Sequence, residues 1–322
     1  MTTNSSFGDP RLVRGVPRLA AAAVAVLLLA MAPAANAQQS FKSAEEAADA
    51  LVAAARSADR KAMLTVLGRD GADIVSSGDA VADAATRQQF LAAYDAKRQV
   101  AMEGDGKAIL VVGQDDFPFP IPLVRRDGAW QFDTVAGREE ILFRRIGRNE
   151  LRTIQTCLAY VDAQNEYAEK GVAGNGVYAQ RIVSRPGQKD GLYWPAQSGD
   201  DESPVGDLAA GAAAEGYRAG LKRQPYHGYY YKILTRQGSR APGGAVNYLA
   251  RGKMIGGFAL LAYPAEYGNS GVMTFLVNHQ GIVYQKDLGP KTDRAVAHMQ
   301  SFNPGGGWER VSDVEQARDG AR

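Results

Sequence analysis

Three groups of side chains in this 322-residue chain have types and spacings that could do chemistry. Asp115 and Asp116 stand side by side ahead of a proline-rich stretch. Inside a pocket, two such carboxylates would divide the work of general acid and general base; on a solvated turn they do neither. Asp200, Asp201 and Glu202 offer oxygen ligands to calcium, although their spacing is not that of an EF-hand loop. Tyr226, His227, Tyr229 and Tyr231 form an aromatic run, and Trp194 adds a ring from an earlier turn. Such rings join a flat apolar face to a polar tip, which suits contact with a glycan, a peptide or a protein. His227 is the one candidate base among them. A core with a hydroxylated rim is the competing reading of the same tyrosines.

Other chemistry finds little footing. His227, His279 and His298 are too far apart in sequence for paired metal ligands on one helix. No G-x-S-x-G, Walker or dinucleotide fingerprint stands in a strand–helix setting. Asn269-Ser270-Gly271 reads as turn chemistry with Ser270 at its tip. Cys157 is the only cysteine, which rules out an intramolecular disulfide. It stands among Ile154, Leu158 and Val161 on a helical stripe, the setting of a buried, inert thiol.

The elements that must position these residues follow from period and punctuation. Ser43 with Glu46 three residues on marks a helix start. A second short helix ends at Gly68, and a third runs over about 82–97. Residues 108–113 then change to a β-branched run. Pro118, Pro120 and Pro122 confine the next stretch to an edge strand or an extended segment. Asp127-Gly128 is a tight hairpin signal, with Trp130, Phe132 and Thr134 alternating on the return strand. Residues 138–170 carry the longest helical stripe, which Gly147 kinks or interrupts and Gly171 stops. Asp162, Gln164, Asn165 and Glu166 read as its solvated face. Beyond it, 229–234, 258–262, 272–277 and 282–284 read as strands, with a turn at His279-Gln280-Gly281 and a short helix at 292–299. The fold class is α+β: helices on a small antiparallel sheet over 38–137, a long helix plus an antiparallel β domain over 138–310, and a flexible tail at 311–322.

The N-terminus reads as a leader. Arg11, Arg14 and Arg18 precede an apolar run at 19–31, and Ala35 and Ala37 offer a signal-peptidase site. The run is too short for a bilayer span, which takes roughly 20 residues. Cleavage after Ala37 would send the rest to the periplasm or beyond, with no membrane span left. The leader holds three of the 37 basic residues and one of the 35 acidic ones, so its removal leaves a balanced chain. That balance gives no electrostatic footprint for nucleic acid.

Three resemblances follow. Phe119-Pro120-Ile121-Pro122-Leu123, Arg144-Arg145-Ile146-Gly147, Ala159-Tyr160-Val161-Asp162-Ala163-Gln164, Lys189-Asp190-Gly191-Leu192-Tyr193-Trp194 and Gly271-Val272-Met273-Thr274-Phe275 resemble signatures of a bacterial family catalogued as domain of unknown function 2950. That resemblance implies secretion and carries no activity. The helices, the Asp-Gly hairpin and Trp130-Gln131-Phe132-Asp133 are similar to the nuclear-transport-factor-like, or cystatin-like, cone. Tyr263-Pro264, Tyr267-Gly268 and the strands around them are similar to the heads of type IV pilins and pseudopilins, without the pilin assembly helix. Together these readings describe a non-enzymatic envelope or periplasmic protein that binds a protein, peptide or glycan, or serves assembly. It needs no cofactor unless calcium sits at 200–202. The alternatives are a hydrolase- or isomerase-type enzyme with Asp115, Asp116 or Tyr94 in a pocket of the first domain, and an accessory to a pilus or type II secretion system.

Overall fold

A computed structural model describes residues 38–195, 202–218 and 224–312. The expected leader, Met1–Ala37, and most of the expected tail lie outside the described residues. Ser43 caps α1 (Ala44–Ser57), its hydroxyl accepting from Glu46 N at 3.0 Å. The Glu46 carboxylate returns to Lys42 N at 2.9 Å, one residue earlier than a strict capping box. Next come α2 (Arg60–Leu67), the single turn α3 (Ala72–Val75) and α4 (Ala80–Ala96), whose N-cap is Asp79.

The first sheet is antiparallel throughout. Strands β1 (Arg98–Met102), β2 (Lys107–Val112), β4 (Leu123–Arg126) and β5 (Ala129–Phe132) lie in that order, and the two-residue β3 (Phe117–Pro118) also pairs with β2. The proline-rich stretch therefore pairs only at its start, since Pro120 and Pro122 cannot donate to a ladder. Asp127 and Gly128 both have positive φ, 51° and 82°, the geometry of a two-residue type I′ turn. Leu51, Leu67, Tyr94, Leu110, Leu123 and Phe132 form the core between α1, α2, α4 and this sheet. Each fully buried leucine or phenylalanine there stabilises the fold by roughly 1.5–3 kcal/mol.

Thr134 is not the end of the return strand. It opens α5 (Thr134–Glu169), and its hydroxyl donates to Leu67 O at 2.6 Å. This helix runs unbroken for 36 residues, passing through Gly147, so the expected interruption there is corrected. A Cβ on Gly147 would meet nothing within 4 Å, and an exposed glycine there weakens the helix relative to alanine without ending it. Gln164 also departs from the expected solvated face. It is fully buried, donates to Tyr160 Oη (2.9 Å) and Ala179 O (2.8 Å), and accepts from Ala179 N (2.8 Å). Asp162 and Asn165 do face solvent.

After α6 (Gly206–Ala214) come β6 (Tyr229–Leu234), the paired β7 (Arg236–Gln237) and β8 (Val246–Asn247), and the paired β9 (Leu249–Ala250) and β10 (Lys253–Met254). The chain then makes β11 (Ala259–Pro264), β12 (Met273–Asn278), β13 (Tyr284–Asp287), α7 (Thr292–Ala297) and β14 (Glu309–Arg310). The second sheet has the antiparallel order β14-β13-β12-β11-β6. Val311, at the start of the expected tail, still donates to Val283 O at 3.0 Å. Ile154, Cys157, Leu158 and Val161 of α5 pack with Leu260, Phe275 and Val277 of this sheet. Burial pushes the Cys157 thiol up to about 12, so it is not a nucleophile at neutral pH.

Gln38–Arg322 makes one compact unit with two hydrophobic clusters. Polar contacts from α5 also join them: the Arg145 guanidinium donates to Asp73 O and Ile74 O of α3 and to Asn269 Oδ1 in the β11–β12 turn. With seven helices among the described residues and open antiparallel sheets, the fold is α+β. No described helix is long and apolar enough to cross a membrane.

Candidate functional site

The residues before β6 make a tight reversal. Tyr226 N donates to Tyr229 O at 2.9 Å and Tyr229 N returns to Tyr226 O at 3.1 Å. His227 and Gly228 lie between them with φ of 50° and 77°, so both central residues are left-handed. Histidine is among the residues that visit this region more than most. Here its backbone N–H is held by Tyr217 Oη at 3.3 Å.

Along this reversal lies a cavity of about 440 Å³. Tyr226, Tyr230 and Tyr231 come from β6 and its turn, and Thr156 and Tyr160 from α5, four residues apart on one face. Tyr193 comes from a loop clasped by the bonds Ser184 N to Tyr193 O and Tyr193 N to Ile182 O, both 2.8 Å. Leu208, Ala209 and Ala212 of α6, followed by Tyr217, close another side. Arg218 is the one charged side chain in the described lining. Burial, and next the Glu215 carboxylate, pushes the Tyr226 phenol up to about 12. Burial likewise raises Tyr160, Tyr217 and Tyr231. All four stay protonated at neutral pH, and because the hydroxyls of Tyr160 and Tyr217 are bonded to Gln164 and Asp79, these two offer the cavity their rings.

His227 sits behind Tyr226, its ring centroid 4.0 Å from that of the tyrosine. Its Nδ1 is 3.2 Å from Arg152 Nη1 and 3.7 Å from Glu215 Oε2. Because a guanidinium only donates, Nδ1 accepts and the ring proton belongs on Nε2. Burial first, and the Arg152 charge second, bring this imidazole down to about 4. It is therefore neutral at physiological pH and is not part of the cavity lining.

The structure brings Tyr226 and Tyr231 of the expected aromatic group together on the cavity. Tyr229 is fully buried and donates to Met273 O at 2.9 Å. Trp194 is buried against Tyr167, with Lys189 Nζ 5.5 Å from its ring. Asp115 and Asp116 lie exposed in the turn between β2 and β3, and Asp116 pairs with Lys97 at 2.6 Å. Tyr94 is buried and donates to Asp49 Oδ1 at 2.8 Å. Glu202 is exposed, and its carbonyl accepts from Lys170 Nζ at 2.9 Å. Asp200 and Asp201 lie outside the described residues. No group of three or more His, Cys, Asp or Glu among the described residues is placed to hold a metal ion. Ser270 belongs to a turn, its hydroxyl accepting from Glu266 N at 2.9 Å, but it is fully buried there rather than standing at an open tip.

Sequence reasoning missed Tyr160, Tyr193 and Tyr217 as wall residues. Tyr160 carries a usable signal, since Thr156 precedes it by one helical turn. Tyr193 and Tyr217 arrive through loops with no period to read.

A family model described as protein of unknown function (DUF2950) matches residues 38–311. Neither a curated protein nor a solved structure matches the chain.

Proposed function

The chain belongs to the DUF2950 family, and from that premise we propose that it is an exported, non-enzymatic binding protein whose ligand site is the tyrosine-lined cavity. The observation that carries this reading is the make-up of the wall. Tyrosine rings converge from α5, β6 and two loops, and the described lining has no carboxylate, thiol or imidazole. Such a surface suits recognition by ring stacking, and it lacks the carboxylate, thiol or imidazole that most often moves a proton or a group. Its volume falls within the roughly 300–1,000 Å³ of ordinary ligand sites. Export rests on the leader pattern ahead of Gln38. An enzyme built on Asp115 and Asp116 has less support, because both are exposed and one is paired with Lys97.

The test is calorimetric titration of the processed chain against peptidoglycan fragments, chito-oligosaccharides and peptides, beside the Tyr226→Ala variant. Saturable binding that weakens by about tenfold or more in Tyr226→Ala, at unchanged melting temperature, supports the cavity. Equal binding by the variant removes it.

A further inference from the structure

The main chain of β6 says what kind of ligand fits beside this cavity. Tyr226 and Tyr229 spend their N–H and C=O on each other, so those groups of Tyr229 point away from β11. On the other side Ala265 N donates to Gly228 O at 2.9 Å, in step with the β6–β11 register that sets Tyr230 opposite Tyr263 and Lys232 opposite Leu261. In an antiparallel strand both main-chain groups of a residue point the same way, and the direction alternates. Tyr230, Lys232 and Leu234 therefore bond to β11, while Tyr231 and Ile233 present N–H and C=O outward. β6 is the last strand of its sheet, and those outward groups have no partner among the described residues. Pro225 faces Tyr230, where neither residue would bond across, and the next residue back, Gln224, makes no main-chain bond to Tyr231.

The cavity straddles this edge. Tyr230 and Tyr231 are consecutive, so their side chains leave on opposite faces of the strand, yet both line it. Two other edge strands are guarded. β1 carries exposed Arg98 and Gln99, and β14 is two exposed charged residues, Glu309 and Arg310. β6 has one charged side chain, Lys232, and it is tied back to Met299 O at 2.9 Å.

The geometry points to an extended peptide as the ligand, pairing as an added strand on the free edge of β6. One of its apolar or aromatic side chains would enter the tyrosine cavity, and an acidic group would meet Arg218, the lone charge of the described lining. This inference rests on the cavity being the binding site and adds the ligand class.

The experiment is residue-resolved hydrogen exchange on the processed chain, alone and with a peptide enriched from a random display library and then synthesised. In the free protein the amides of Tyr231 and Ile233 exchange faster than those of Tyr230 and Lys232 by about tenfold or more. Bound peptide slows the first pair. A version of the peptide N-methylated at alternate amides, which keeps the side chains, loses about tenfold or more in affinity. The inference is overturned if Tyr231 and Ile233 are already protected in the free chain, as they would be if another segment of this protein paired there. It is also overturned if the library yields no enriched sequence. A peptide or glycan whose binding needs Tyr226 but leaves both amides fast would remove strand pairing while sparing the cavity as the site.

Discussion

The phenol of Tyr217 donates to Oδ2 of Asp79 at 2.8 Å, joining the N-cap of α4 to a wall of the cavity across 138 residues of chain. The same oxygen accepts from Gly228 N at 2.9 Å, and Oδ1 accepts from Val81 N and Ala82 N at 3.2 and 3.1 Å. Asp79 is almost fully buried, so these four donors replace its water. Tyr217→Phe should destabilise by about 1–2 kcal/mol, and Asp79→Ala by about 3 kcal/mol or more, because it removes a cap and orphans buried donors. A urea-denaturation double-mutant cycle checks this. Additive losses would show that the two residues do not act together.

His227 predicts a pH dependence. Its folded value of about 4 lies below the roughly 6.5 of an unfolded histidine. Between these values the unfolded chain holds the extra proton. The contribution is therefore complete above about pH 6.5 and is lost as pH falls toward about 4, on the order of 3 kcal/mol over the window. His227→Asn keeps a residue that tolerates the left-handed turn and should flatten that part of the stability–pH curve. Parallel curves for the two proteins would contradict the assignment.

Two glycines of α5 should respond oppositely to alanine. Gly147→Ala fills open space and should stabilise by up to about 1 kcal/mol through helix propensity. Gly137→Ala would set a Cβ 2.7 Å from both Ile121 Cα and Pro120 O, and backbone does not yield cheaply. A loss of about 1–3 kcal/mol is expected. Chemical denaturation of both variants decides it, and a stabilised Gly137→Ala would mean the 119–122 segment moves freely.

Gln164→Leu should cost about 2–3 kcal/mol by leaving Ala179 N and O without partners, and Gln164→Glu should cost at least as much through a buried carboxylate facing Ala179 O. Thermal melts test this; variants that melt with the parent would show that water satisfies Ala179.

What could be read from sequence was what local rules control. Asp127-Gly128, the run Tyr229–Leu234 and the stripe of α5 each carry their own period or turn chemistry, and each appears in place. β1 was not foreseen because Arg-Gln-Val-Ala-Met alternates too weakly. α6 was missed because its Gly- and Ala-rich run has neither a cap side chain nor an apolar stripe. Gln164 looked solvated because helical spacing cannot tell a polar residue on the wet face from one that clasps a returning loop. Tyr226 and Tyr231 were visible as an aromatic cluster, whereas Tyr160, Tyr193 and Tyr217 join them only through tertiary folding.

The unbroken α5 also bears on how the gene can be divided. At about 1.5 Å per residue its 36 residues make a rod of about 54 Å, and each hydrophobic cluster borrows part of it. A truncation ending before Thr134 takes Ile141 from beside the first cluster, and one that severs the rod midway strips a greasy stripe bare on whichever piece keeps it. Expression trials should therefore not cut within α5, because a piece that begins or ends inside it would be recovered as precipitate rather than as a working half.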